Sequence, residues 1–145
     1  MDLLERARTL AACPLFESPA PSVIVRLAER ARTDELVRGD RRTTEDHVWV
    51  VASGSLAVAV RELVSAEQLA TASIVRKHGA NAIAGNALGL IRVVRTATPV
   101  VEVVAEQPSV LVGLAVDDVR DVLEEDPQAL AAIADRLAAL LLEPA

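Results

Sequence analysis

The spacing of apolar residues changes twice along the chain, and each change marks a new kind of element. In "DLLERARTLAAC", residues 2–13, Leu3, Leu4, Ala7, Leu10 and Ala11 recur at helical spacing. The spacing predicts a helix that stops at Pro14, where a missing N–H and a bulky ring prevent continuation. After "SPAP", Pro21 suits the first turn of a second helix over "PSVIVRLAERART", with Val23, Leu27 and Arg30 spaced along it. Gly39 and Asp40 mark a turn, and the polar stretch "RRTTED" reads as a strand. The period then shortens. "HVWVVASGSLAVAV", residues 47–60, is apolar and β-branched on both sides of Ser53-Gly54, which predicts two strands joined by a tight hairpin. "LVSAEQLA" reads as a loop with some helical character and "TASIVRKHG" as a strand ending at Gly79. "TATPVVEVVAEQPSVLVGLA" predicts two strands around Glu106-Gln107-Pro108, with Pro99 at a bulge or edge because proline donates no ladder hydrogen bond.

From Val116 the helical period returns. Val116, Val119, Val122 and Leu123 share a face, and Asp117 and Asp118 sit in the first turn, where the helix dipole favours negative charge. A last helix opens at Pro127 and stops at Pro144, with Leu130, Ile133, Leu137, Leu140 and Leu141 as a continuous apolar stripe. Short strands without β-α-β alternation predict a mainly β fold with flanking helices: an antiparallel, jelly-roll-like β-roll with N-terminal helices and two C-terminal helices. The expected layout is one domain over residues 1–145, with helices at 2–32, the roll at 33–115 and C-terminal helices at 116–143. Leu56, Val58 and Val112 are expected core positions.

Composition narrows the function. Hydrophobic residues make up 52% of the chain and charged residues 25%, as in globular proteins. Aromatics are only 1%, so Val, Leu, Ile and Ala must build the core, and platforms for base stacking are lacking. A net charge of -6 argues against nucleic acid as a partner. The single Cys13 excludes an intramolecular disulfide. "MDLLERARTL" lacks the apolar run of a signal peptide. No uncharged stretch approaches the ~20 residues of a spanning helix, so no direct membrane insertion is expected. The expected location is the cytoplasm, as a cytoplasmic protein or the cytoplasmic domain of a larger one.

Candidate chemistry is sparse. His47, His78 and Cys13 have no zinc or haem spacing, and Ser53-Gly54-Ser55 lacks the first glycine of a nucleophile elbow. Trp49 reads as a core residue, and Arg41-Arg42 and Arg76-Lys77 as solvated pairs. With no acid/base or nucleophile constellation, the chain is expected to be no enzyme, with no catalytic residue, metal or cofactor. The Leu130–Leu141 stripe is too short for a self-sufficient coiled coil and is expected to pack on the roll, the alternative being a dimer or output surface. There remains "GNALGLIRVVRTAT", residues 85–98, in which Arg95 follows Gly85 by ten residues. Taken alone, Arg95 reads as a surface partner of Glu102 or Asp46.

Three segments together resemble a known family: "CPLFESPAPSVIVRLAERA", "VWVVASGSLAVAV" and "VDDVRDVLEEDPQALAAIADRLAALL". From about Leu10 to about Leu141 the chain resembles the cyclic-nucleotide-binding domain, the β-roll module shared by the catabolite activator protein, the regulatory subunit of protein kinase A and cyclic-nucleotide-gated channels. The stretch 85–98 is similar to that family's phosphate-binding cassette, a Gly-Glu, an apolar helical turn and Arg-x-Ala-Thr. The resemblance implies that Gly85, Ala87, Leu88 and Arg95 hold a cyclic phosphate, with Thr96 as a further hydroxyl donor. A helix N-terminus plus a guanidinium is a physically sound anion site. Asn86 stands where the family keeps a glutamate on the ribose 2′-hydroxyl, so a charged contact becomes neutral. The resemblance implies a regulatory domain whose ligand is cAMP or cGMP and whose C-terminal helices carry the signal to an effector domain or partner protein, with a homodimer through the C-terminal helix as a further expectation. The alternative is a degenerate roll without nucleotide affinity that serves as an interaction or dimerisation module.

Overall fold

The computed structural model of the chain describes residues 1–16, 19–60, 81–84, 86–89 and 100–142. Helix α1 (Leu3–Ala12) opens on a capping box. The Asp2 carboxylate accepts from the Glu5 N–H at 2.8 Å, and the Asp2 N–H donates to the Glu5 carboxylate at 3.2 Å, so two otherwise orphaned donors are satisfied. The middle of the predicted stripe packs: Leu10 is buried and Ala7 lies against the same core, while Leu3, Leu4 and Ala11 are exposed. A single 3-10 turn, Pro14–Phe16, then drops Leu15 and Phe16 into the core. Helix α2 (Pro21–Arg30) buries Val23, Ile24, Leu27 and Ala28.

The described strands are β1 (Arg32–Leu36), β2 (Arg41–Thr43), β3 (His47–Ser53), β4 (Ser55–Val60), β5 (Asn81–Ile83), β6 (Ala87–Leu88), β7 (Val101–Ala105) and β8 (Ser109–Ala115). They form two four-stranded antiparallel sheets, ordered β1-β8-β3-β6 and β2-β7-β4-β5. Helices α3 (Val116–Glu124) and α4 (Pro127–Leu142) follow. This is the expected antiparallel roll with N-terminal helices and two C-terminal helices.

Two local expectations need correction. The second helix ends at Arg30, and Arg32 and Thr33, read as its last residues, open strand β1 instead. As an edge strand pairing only with β8, β1 buries just Leu36, so it lacks the apolar alternation of a central strand. The segment around Ser53-Gly54-Ser55 is no hairpin. β3 pairs with β8 and β6, and β4 pairs with β7 and β5, so the chain turns a corner there from one sheet into the other. Apolar strands flanking a glycine look alike in sequence whether they share a sheet or leave it. The corner is held by the Ser109 hydroxyl, which accepts from the Ser55 N–H at 3.2 Å and donates to the Gln107 carbonyl at 2.9 Å.

Strand alternation sorts the side chains of the first sheet onto two faces. Val48, Val50, Val112 and Leu114 face the helices and join Leu10, Phe16, Leu27, Val119, Leu123 and Ile133 in one core. Leu36, Trp49, Val51, Leu88 and Leu111 face the inside of the roll and meet Leu56, Val101, Val103 and Ala105 of the second sheet. Val58 is only partly buried against this inner core. Trp49 fits because Gly113, its cross-strand partner, has no side chain: a Cβ there would lie 2.5 Å from the indole. The indole N–H is satisfied by the Thr43 carbonyl at 2.8 Å.

On α4, Ala129, Ile133 and Leu137 are buried in the helix-side core and Leu130 packs against it, so the apolar stripe covers its own chain. The side chains of Leu140 and Leu141 lie outside the description. Across the α2–α3 contact, Arg26 pairs with Glu125, and Arg30 lies 3.6 Å from both Asp118 and Asp121. The predicted loop at 63–70, the strand at 71–79, Arg76, Lys77, His78, Pro99 and the Pro144 stop lie outside the described residues.

Candidate functional site

The described part of the 85–98 stretch is residues 86–89, built around strand β6. It lies at an edge of its sheet, with Trp49 opposite Leu88 and Val50 opposite Ala87. The Val51 N–H donates to the Asn86 carbonyl at 2.9 Å, continuing the register by one residue. Antiparallel ladders alternate bonded and non-bonded pairs. Val51/Asn86 and Trp49/Leu88 are therefore the bonded pairs, and the Leu88 N–H is committed to β3. The Ala87 N–H points the other way, away from β3.

The same register settles which way each side chain faces. Val51 and Trp49 point into the roll, so their partners Asn86 and Leu88 do too, and Leu88 is buried among the inner core residues. Ala87 points to the opposite face and packs against the helix-side core. The half-buried Asn86 side chain is thus presented at the inner rim of the roll, beside the outward Ala87 amide. Ala87 and Leu88 are extended rather than helical, which revises the expectation of a helical turn at these two residues. Leu88 also parts from its expected role: its amide belongs to the ladder and its side chain to the core. Of the remaining predicted site residues, Gly85, Arg95 and Thr96 lie outside the described residues. Glu102, considered as a partner of Arg95, pairs with Arg41 at 3.1 Å.

Around Trp49, the cross-strand partner of Leu88, lies a polar cluster that local pattern did not reveal. From β1, Arg32 and Asp34 point inward alongside Leu36. Arg42 of β2 grips Asp34 with two hydrogen bonds, Nε to Oδ2 at 2.6 Å and Nη2 to Oδ1 at 3.0 Å. The Arg42 bond holds the Asp34 carboxyl below the usual carboxylate range and in turn raises Arg42. The Arg32 guanidinium sits 5.6 Å from the Trp49 ring centroid, and the His47 ring stacks on Trp49 at 5.1 Å and 17°. Arg42 is therefore a paired residue rather than a freely solvated one. These contacts join three consecutive strands that belong to two different sheets, so they depend on the sheet topology rather than on spacing within one strand.

Cys13 does not join His47. It is buried in the helix-side core, on the other face of the sheet from Trp49, and burial pushes its thiol up. Among the described residues no group of three or more His, Cys, Asp or Glu is placed to hold a metal ion, and no helix is long and apolar enough to cross a membrane.

No protein-family model matches the chain, and no curated protein matches it. Its likeness is to a solved structure. The chain superposes on a "Putative Cyclic nucleotide-binding protein" from Geobacter metallireducens GS-15 with a TM-score of 0.66 and 13% sequence identity, covering 94% of this chain and 95% of that one. At this identity the likeness is one of fold. The chain has the fold of a cyclic nucleotide-binding domain, an antiparallel β-roll between N-terminal helices and a C-terminal helix pair.

Proposed function

We propose that this chain is a regulatory domain that binds a cyclic nucleotide, cAMP or cGMP, at the 85–98 stretch and passes the signal through α3 and α4. The observation that carries the reading is the pairing of Asn86 and Ala87 at the edge of the roll. Asn86 carries an inward amide side chain, and the Ala87 backbone N–H points away from the ladder, on a strand paired with β3. A backbone N–H at a fixed position is a good donor to a phosphate oxygen, and Asn86 supplies both a donor and an acceptor for a sugar hydroxyl. Gly85, Arg95 and Thr96 complete the proposed site, with Arg95 as the charged anchor. Leu88 holds the segment in place through the core rather than touching ligand.

The signalling half of the proposal needs the ligand to prefer one arrangement of the C-terminal helices, since equal affinity for both shifts nothing. The α2–α3 ion pairs and the packing of α4 on the helix-side core define the arrangement against which such a preference would act. Ligand at about 100 times its Kd stabilises a protein by about 2.7 kcal/mol, a rise of several degrees in Tm. The test is thermal unfolding with millimolar cAMP or cGMP, in the wild type and in Ala87→Pro. Proline removes the outward N–H, on the side where an edge strand tolerates it, and also fixes φ and places a ring against the helix-side core. Stabilisation of the wild type that shrinks in Ala87→Pro supports the proposal. No stabilisation by either nucleotide favours the alternative, a roll that serves as an interaction or dimerisation module.

A further inference from the structure

His47 occupies a junction that the proposed ligand site does not use. It is the first residue of β3 and lies opposite Ala115, the last residue of β8 and the N-cap of α3. Ala115 gives α3 no side-chain cap. The helix entry is held instead by the preceding turn, whose Asp46 carbonyl accepts the Val116 N–H at 2.9 Å. A cavity of about 310 Å³ opens between this turn and α3, lined by Glu45, Asp46, His47, Asp117 and Arg120 among others. On its other side the imidazole lies flat on Trp49.

We propose that His47 is a proton-sensitive pin between the roll and α3: the uncharged imidazole holds the start of β3 against the helix entry, and protonation loosens that junction. The charged groups that act on the ring come from every neighbouring element. Arg32 of β1 opposes a proton there, whereas Asp34 of β1, Asp46 of its own turn and Asp118 of α3 favour one. Glu45, Asp117 and Arg120 line the adjoining cavity. Burial is the largest influence and, with Arg32, outweighs the carboxylates, holding His47 below the usual histidine range. The sign follows by linkage. The released or unfolded chain takes up the proton first as pH falls, so the junction is fully stable above about pH 6.5 and weakens below it. Charging the half-buried ring costs desolvation that exposure to water relieves, and the turn beside it holds the first N–H of α3.

Trp49 is the chain's only tryptophan, so the stack reports on itself. The experiment follows tryptophan fluorescence of the whole chain from pH 8 to 5, with hydrogen exchange of the α3 first-turn amides at both ends, corrected for intrinsic rates. The proposal predicts a one-proton fluorescence change with a midpoint below 6.5 and at least a tenfold loss of first-turn protection. Both should disappear in His47→Phe, which keeps the stack without the proton, and persist in His78→Gln. If His47→Phe fails to fold, the His47 ring-proton shifts of the wild type give the midpoint directly. A fluorescence transition that survives His47→Phe, or first-turn protection that does not change with pH, overturns the proposal.

Discussion

Gly54 and Gly39 have nearly the same backbone, φ +97° and +95°, and opposite surroundings. A Cβ at Gly39 meets nothing within 4 Å. At Gly54 it would lie 2.6 Å from Ser109 Cα and 2.5 Å from Ser109 Cβ. Gly39→Ala therefore suffers only the strain of an L-residue at positive φ, about 1–2 kcal/mol, partly offset by a stiffer unfolded chain. Gly54→Ala carries the same strain plus a collision with backbone that no rotamer change relieves. Overpacking of this kind costs about 1–3 kcal/mol. Pushing Ser109 aside also sacrifices the Ser55 N–H to Ser109 Oγ bond and the Ser109 bond to the Gln107 carbonyl, roughly 1 kcal/mol each. The expected loss is about 4–6 kcal/mol for Gly54→Ala against about 1 for Gly39→Ala. For a chain of this size each kcal/mol lowers Tm by about 3 °C, so the two variants should melt about 9–15 °C apart. Urea denaturation followed by circular dichroism gives the same comparison at constant temperature. Adding Ser109→Gly should restore Gly54→Ala only in part, because the collision with the backbone of residue 109 remains. Equal losses in the two single variants would refute the picture of Gly54 as a tight sheet-to-sheet corner pressed on Ser109.

Three further outcomes are expected. Arg42→Met should destabilise the chain by about 1–2 kcal/mol at pH 7, as expected of a partly buried, doubly bonded pair. Because Arg42 lowers the folded pKa of Asp34, that stability is present above about pH 4 and lost as pH falls through the folded value; the difference between wild type and variant should therefore vanish in strong acid. A difference that persists unchanged at pH 2 would contradict it. Ile133→Ala should cost about 2–5 kcal/mol in unfolding free energy without changing the mass seen by light scattering, because Ile133 is buried in its own chain. A change of mass with little loss of stability would place the α4 stripe at a subunit interface instead.

Fold class and element types were legible because they rest on periodicity. The double-sided apolar runs of β3 and β8, the Pro-initiated helices α2 and α4, and the acidic first turn of α3 all carry local signals. Sheet membership was not legible at the corner, since "VVASGSLAVAV" satisfies hairpin rules and only the pairing partners show otherwise. β1 was hidden by its polarity, and that polarity has a use: Arg32 and Asp34 face the indole and Arg42. At the candidate site, it was the resemblance to the family cassette that pointed to residues 85–98, and the structure adds the register at Asn86–Leu88. One residue of register decides that the Leu88 amide is spent in the ladder while that of Ala87 is turned outward. Trp49 was readable as core, but its setting over Gly113, with Arg32 against the ring, arises from tertiary neighbours; only His47, two residues earlier on the same strand face, is local.

The most direct test of the central claim is calorimetric titration of the chain with cAMP and cGMP, beside Arg95→Ala. The account predicts one site per chain with micromolar or tighter affinity for at least one of the two nucleotides, reduced at least a hundredfold in Arg95→Ala, as loss of a charged bond of about 3 kcal/mol requires. Absence of heat up to millimolar nucleotide, or binding that Arg95→Ala leaves unchanged, would contradict it.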